Sequence, residues 1–203
     1  MINMNSYYEK RKLVFERIEK SSNMEKGLMV FLMACFTGIM AQIIIPLPWT
    51  PVPITGQTFA VLVSGLILGR KLGPLSQISY IIIGVLGIPW FAGMSGGLNI
   101  LLSASSGYLV GFVFASLFIG YMSEKYSNSK IRSMLPAMLI ANYICIYIPG
   151  LIVLAIWQYF NLGNFPNLND LLIMGVIPFI IGDLFKIVGA SIFSKIFLPK
   201  IKS

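Results

Sequence analysis

Residues 171–198 read LLIMGVIPFIIGDLFKIVGASIFSKIFL, an apolar run broken near its middle by Asp183 and Lys186, the only charges that deep in any apolar segment of the chain. A charge at bilayer depth costs about 2.5–3.5 kcal/mol even on translocon-insertion scales. Opposite charges at i and i+3 share one helix face, so the pair is either a functional site or an ion pair that sets helix packing. The same run holds Pro178, expected to kink the helix and free the carbonyl of Met174. Gly175, Gly182 and Gly189 recur at seven-residue spacing and are expected to line one small face, with Asp183, Lys186 and Ala190 beside it and directed into a bundle.

The rest of the chain has the same character. Its 203 residues are 57% hydrophobic and 11% charged, with a mean hydropathy of +0.83, too apolar for a water-soluble domain of this size. Six spans stand out: Gly27 to Ile45, Ile54 to Gly69, Leu72 to Trp90, Ser106 to Ser123, Ser133 to Phe160, and Leu171 to Leu198. They are unbroken runs and lack the alternation of a membrane β-barrel, so strands are not expected. The expectation is an all-α integral membrane protein of six transmembrane helices.

Charge sets the orientation. Lys10, Arg11, Lys12, Arg17, Lys20 and Lys26 precede the first span; Arg70 and Lys71 follow the second; Lys125, Lys130 and Arg132 follow the fourth; Lys195, Lys200 and Lys202 close the chain. With six spans all of these fall on one side, while the opposite loops hold only Asp170. The positive-inside rule therefore places both termini in the cytoplasm of a multi-pass cell-membrane protein. The basic balance needs no nucleic acid, since no basic patch lies outside these flanks. Residues 1–26 form a charged cytoplasmic leader that precedes the membrane domain, 27–203. The leader mixes Glu9, Glu16, Glu19 and Glu25 with its basic residues; an interfacial helix on anionic membrane lipid, a contact for a cytoplasmic partner and a solvated segment all fit it.

Missing residue types narrow the chemistry. There is no histidine, and Asp183 is the single intramembrane acid, so an aspartyl dyad is excluded. Gly93-Met94-Ser95-Gly96 looks like the GxSG stretch of rhomboid proteases, yet no general base accompanies it. Cys35 and Cys145 both fall inside spans and read as packing residues. The chain is expected to be no enzyme and to need no cofactor or metal.

Recognition or transport remains. The loop from Pro46 to Gln57 carries Pro46, Pro48, Pro51 and Pro53; it should be stiff and extended, delivering Thr55 and Gln57 to the start of a short helix. Irregular backbone at that depth is tolerated only where protein buries it or water reaches it. The loop from Pro89 to Ser106 has Gly93, Gly96, Gly97 and Asn99 and no charge; it suits close approach to a ligand or a mobile connection. Ala34, Gly38 and Ala41 make a small-residue face on the first span, for internal packing or for a membrane partner.

Five motifs in order carry a resemblance: Pro51-Val-Pro53-Ile-Thr55-Gly-Gln57, Leu68-Gly69-Arg70-Lys71-Leu72-Gly73-Pro74, Tyr80 with Gly84-Val-Leu-Gly87-Ile-Pro89, Gly107-Tyr108-Leu109-Val-Gly111-Phe112, and Gly182-Asp183-Leu-Phe-Lys186. Together they resemble the BioY family, the biotin-specific substrate-binding (S) components of energy-coupling factor (ECF) transporters, from about Ala34 to Lys195. One departure is Ser103-Ala104-Ser105-Ser106, where the family commonly has a Gly-Pro-Thr-like approach, which leaves ligand contact from that segment without support.

The resemblance implies a six-helix substrate-binding domain that holds biotin near its outward face and docks on a transmembrane coupling (T) subunit driven by a pair of cytoplasmic ATP-binding subunits. The chain itself has no GxxxxGK[ST] phosphate loop. The small-residue contact with the coupling subunit would fall at Ala34 and Gly38, with Ala41 on the same face. Biotin offers two ureido N–H donors, one carbonyl acceptor, an apolar ring and chain, and a carboxylate. Asp183 is expected to accept a ureido N–H and Lys186 to keep it ionised and to donate to the carbonyl or carboxylate. Gln57, Thr55, Asn99 and Asn142 are further polar candidates, and Trp90, Phe91 and Tyr108 are candidate walls. The alternative from another class is a proton-coupled secondary transporter in which Asp183 carries the proton and Lys186 tunes it.

Overall fold

The structure, a computed structural model, describes residues 4–126 and 134–196, with side chains described for 12–126 and 134–192. The expectations for Lys130, Arg132, Lys200 and Lys202, the span ends Ser133 and Leu198, and the side chains of Lys10, Arg11 and Lys195 lie outside the described residues. Helix α1 spans Met4–Lys20 and α2 spans Asn23–Ala41. Ser22 and Glu25 separate them by a capping box. The Ser22 N–H donates to Glu25 Oε2 at 2.7 Å, and the Glu25 N–H returns to Ser22 Oγ at 3.3 Å. Such caps are worth about 1 kcal/mol.

After α2 the Pro-rich loop forms a minimal ladder, β1 (Ile44–Ile45) against β2 (Ile54–Thr55), antiparallel with Ile44 opposite Thr55 and Ile45 opposite Ile54. No strand was expected; prolines hold the loop extended enough for its two ends to pair. Helix α3 therefore begins at Gln57, where Ile54 was expected, and runs to Val85.

Helix α3 is two arms folded back on each other. At Gly69 the backbone takes φ 75° and ψ −171°, a region almost confined to glycine. Gln57 and Tyr80 consequently come within 2.8 Å, although a continuous helix would hold them about 34 Å apart. The reversal sits on α4 (Ser106–Lys125): Arg70 donates its backbone N–H to Glu124 Oε1 at 2.8 Å and pairs through Nε with Oε2 at 3.0 Å. A Cβ on Gly120 would fall 2.5 Å from the Gly69 carbonyl carbon, so the turn and α4 pack backbone to backbone.

Helix α4 is the centre of the bundle. A Cβ on Gly65 of α3 would meet Ser116 O at 2.6 Å, and one on Gly111 would meet Ile146 Cα at 2.6 Å. Small residues permit this closeness, and buried hydroxyls join the helices across it: Ser64 and Ser116 lie 2.8 Å apart and Ser123 donates to Leu66 O at 3.1 Å.

The remaining elements surround one side of α4. They are α5 (Leu135–Ile140), a π-helical turn (Ala141–Ile146), α6 (Tyr147–Leu162), α7 (Leu168–Gly175), a 3-10 turn (Ile177–Phe179) and α8 (Ile180–Ile196). The break between α7 and α8 sits at Pro178, as expected, and the freed Met174 carbonyl accepts Thr50 Oγ1 at 2.7 Å.

That break overturns the expectation of one glycine stripe. A Cβ on Gly175 would meet Leu151 and Tyr108, one on Gly189 would meet Phe59, and one on Gly182 would meet only Ile54 at 4.0 Å. A seven-residue repeat keeps its phase only along an unbroken helix.

Among the described residues five helical segments are long and apolar enough to cross a membrane: Asn23–Ala41, Gln57–Val85, Ser106–Lys125, Leu135–Leu162 and Leu168–Ile192. The second of these contains the Gly69 reversal. Large apolar side chains such as Leu28, Ile82, Phe114, Ile152 and Phe185 cover the outer surface, which suits contact with lipid tails.

Candidate functional site

The site begins with Asp183, 1% exposed on the first turn of α8. Its carboxylate accepts four hydrogen bonds. Oδ1 accepts from Lys186 Nζ at 2.9 Å and from Thr58 Oγ1 at 3.4 Å; Oδ2 accepts from Asn142 Nδ2 at 2.8 Å and from the hydroxyl of Tyr147. An ionised carboxylate has about four lone-pair positions, so this one is saturated in the structure. The four donors come from α8, α3, the π-helical turn and α6, which makes Asp183 the point where these elements converge. Lys186, with its side chain 17% exposed, uses one of its three ammonium donors on Asp183 and keeps two others.

A cavity of about 70 Å³ opens beside the pair. Thr55, Gln57, Phe91, Tyr108, Asp183 and Lys186 line it, six of the nine expected site residues. The β1–β2 ladder places Thr55 and Gln57 there. Thr55 Oγ1 donates to Gln57 Oε1 at 2.8 Å, and Gln57 Nε2 donates to Tyr80 Oη at 2.8 Å, leaving one amide N–H of Gln57 for a ligand. Tyr108 turns its ring to the cavity while its hydroxyl donates to Gly175 O at 2.9 Å. That carbonyl lies at the α7–α8 break, so the hydroxyl is already engaged.

The other three expected residues stand elsewhere. Asn99 is exposed on the 3-10 turn Leu98–Leu102, and Ile100 of that turn faces the cavity in its place. Trp90 lies outside the cavity: its indole donates to Tyr80 O at 3.0 Å and its ring packs on Gly38 at 3.2 Å from the position a Cβ would take. Asn142 is fully buried behind Asp183 and supports it without lining the cavity; its Oδ1 has no hydrogen-bond partner.

The small-residue face at Ala34, Gly38 and Ala41 is buried by the chain itself, with Trp90 on Gly38. Of the two readings of this face, internal packing is the one these contacts display.

Thr58, Tyr147, Ser105 and Phe112 join the site without having been expected. Tyr147 is the instructive omission. In an α-helix, residues five apart lie about 140° away from each other, so Asn142 and Tyr147 appear unrelated. The π-helical turn Ala141–Ile146 brings both onto Asp183, and such turns recur at functional sites. Ser105 comes from the segment that departs from the resemblance, and it lines the cavity all the same. Gln42 fixes the loop that carries Phe91 by donating to Trp90 O at 3.0 Å and Phe91 O at 3.1 Å and accepting from Met94 N at 3.1 Å.

The arrangement is a mostly apolar chamber with one saturated carboxylate, one cation with donors to offer, and a single amide N–H opposite. It suits a small, mainly apolar molecule with a few fixed polar atoms. Among the described residues no cluster of His, Cys, Asp or Glu could hold a metal.

Comparison with known proteins extends this picture. A sequence model of the BioY family matches residues 14–202. The probable biotin transporter BioY of Methanothermobacter thermautotrophicus is 49% identical over 138 residues, covering 68% of this chain and 88% of that protein. The probable biotin transporter BioY of Pyrococcus horikoshii is 36% identical over 167 residues, covering 82% and 92%. Among solved structures, the S-component for biotin from an ECF-type ABC transporter superposes with a TM-score of 0.75 at 26% identity, covering 86% of this chain and 93% of that one.

Proposed function

Because the chain belongs to the BioY family, we propose that it is a multi-pass membrane protein that binds biotin and serves as the substrate-specificity subunit of an ECF-type transporter. The observation that carries the reading is the Asp183–Lys186 pair at the wall of a mostly apolar chamber. Biotin's ureido group has the matching polarity. Of the four donors on Asp183 the Thr58 hydroxyl is the longest, at 3.4 Å, and a ureido N–H takes its place on Oδ1. The open amide N–H of Gln57 goes to the ureido carbonyl, the Thr55 hydroxyl oxygen accepts the second ureido N–H, and Lys186 keeps its free donors for the carboxylate. Phe91, Tyr108 and Phe112 enclose the thiophane ring. Asn142 and Tyr147 hold the Asp183 carboxylate in place.

In the same reading the two arms of α3 cross the membrane separately. There are then six crossings with both termini cytoplasmic in the plasma membrane, and residues 1–26 form a cytoplasmic leader. Transport draws on a T subunit and a pair of ATP-binding subunits, and the chain performs no enzymatic chemistry.

The test is equilibrium binding of biotin to the detergent-purified chain by calorimetry. Saturable one-to-one binding without any partner is the expected result. Well-folded protein that binds no biotin overturns the proposal.

A further inference from the structure

Beside the chamber runs a second groove of about 400 Å³, lined by Met40, Ile43, Ile45, Ile54, Phe59 and Phe185, with Gly182 in its wall. Thr55 and Lys186 line both spaces. The inner chamber, about 70 Å³, is far below the ~300–1,000 Å³ of pockets that enclose a whole small molecule. The groove is apolar and reaches the outer surface, where Ile43 is 58% and Phe185 75% exposed. Gly182 leaves room there: a Cβ would meet only Ile54 Cγ2 at 4.0 Å. Its backbone is helical, so neither strain nor close packing calls for glycine at this position, and glycine inside a helix costs about 1 kcal/mol relative to alanine.

We infer that the groove holds the aliphatic tail of a ligand whose polar head sits in the inner chamber, with Lys186 at the threshold between them. The inference rests on the biotin reading and deepens it. Biotin divides in just this way, into a compact polar ring system and an apolar chain. An ammonium with unused donors at the threshold meets the chain's terminal carboxylate or, where that carboxylate is derivatised, an amide carbonyl. The groove then continues outward past that carbonyl. The ligand class accordingly extends to biotin amides with an aliphatic tail, and Gly182 becomes a residue that sets the tolerated tail.

The experiment measures equilibrium affinities of biotin, biotin N-methylamide and biotin N-hexylamide for wild type, Gly182→Leu and Ile43→Trp. Both substitutions add bulk to the groove lining, one on α8 and one outside it. Because biotin's own chain enters the groove, each variant should weaken biotin and the methylamide, and should weaken the hexylamide at least tenfold more than the methylamide. An unchanged hexylamide-to-methylamide ratio in both variants overturns the inference and leaves the groove to membrane lipid. Wild type that already rejects the hexylamide tenfold relative to the methylamide overturns it too. If Gly182→Leu weakens biotin itself by shifting the adjacent Asp183, the same ratio in Ile43→Trp decides. Wild type that binds none of the three ligands refutes the biotin reading, an outcome distinct from failure of the groove alone.

Discussion

Replacing Asp183 by asparagine tests the centre of the site with little change of shape. The carboxylate accepts hydrogen bonds from Lys186, Thr58, Asn142 and Tyr147; an amide at the same position has one oxygen and presents an NH2 group to one pair of donors. The Asn142 side chain can relieve part of the conflict, since its Oδ1 has no partner and a turn of its amide offers an acceptor to the new NH2. The Lys186 ammonium has no such remedy and loses its counter-charge. Removing one partner of a fully buried pair costs about 3–5 kcal/mol. The 17% exposure of the Lys186 side chain lowers that figure, so the variant should fold with a reduced melting temperature. Binding suffers separately. The lost charge-assisted hydrogen bond to a ureido N–H is worth about 1.5–3 kcal/mol, which at about 1.4 kcal/mol per decade raises the Kd for biotin about 10- to 150-fold. Calorimetry on Asp183→Asn, at a temperature where the apo variant is folded by its own melting curve, gives the number. A Kd within twofold of wild type would refute the assignment of Asp183 to the ligand.

Other perturbations separate binding from scaffold. Tyr147→Phe removes one donor to Asp183 while keeping the ring stacked on Tyr143 at 5.5 Å; a neutral donor to a charged group is worth about 1.5–3 kcal/mol at most, and calorimetry should show a Kd raised at least threefold. Gly69→Ala forces a side chain into φ 75°, ψ −171° beside Glu124, so the melting temperature should fall in keeping with about 1–3 kcal/mol of strain, and the biotin affinity of the folded fraction should be unchanged. Thr50→Val strips the freed Met174 carbonyl of its donor, with a cost of about 1–3 kcal/mol for an unsatisfied group read as a lower melting temperature. Asn99→Ala should leave the Kd within twofold of wild type, because Asn99 is exposed on the turn whose Ile100 faces the chamber.

Much of the site was legible because the bilayer makes polarity conspicuous. Asp183 and Lys186 stand out in an apolar run, and the Pro-rich loop marks where Thr55 and Gln57 enter; all four line the chamber. Asn99, Trp90 and Asn142 were misplaced for a different reason. Polarity or aromaticity near a loop identifies a candidate but not the direction of its side chain, and here one faces outward, one seals Gly38, and one stands behind the carboxylate. Thr58 and Tyr147 went unseen because a lone hydroxyl in a span has many bland explanations.

The membrane class, the apolar segments, the clustering of basic residues at particular loops and the intramembrane ion pair are all readable from the order of residues alone. These are properties of composition in a window of about 20 residues, and the hydrocarbon core acts on composition directly. Packing in three dimensions sets the rest: the Gln57–Val85 segment doubles back at Gly69, Trp90 packs on Gly38 of α2, and a π-helical turn brings Asn142 and Tyr147 together on Asp183. Each of these depends on a few backbone dihedrals, and on which side chain fills a given space once helices touch. A one-residue change of helical register moves a side chain by about 100°, and no average over a window carries that information.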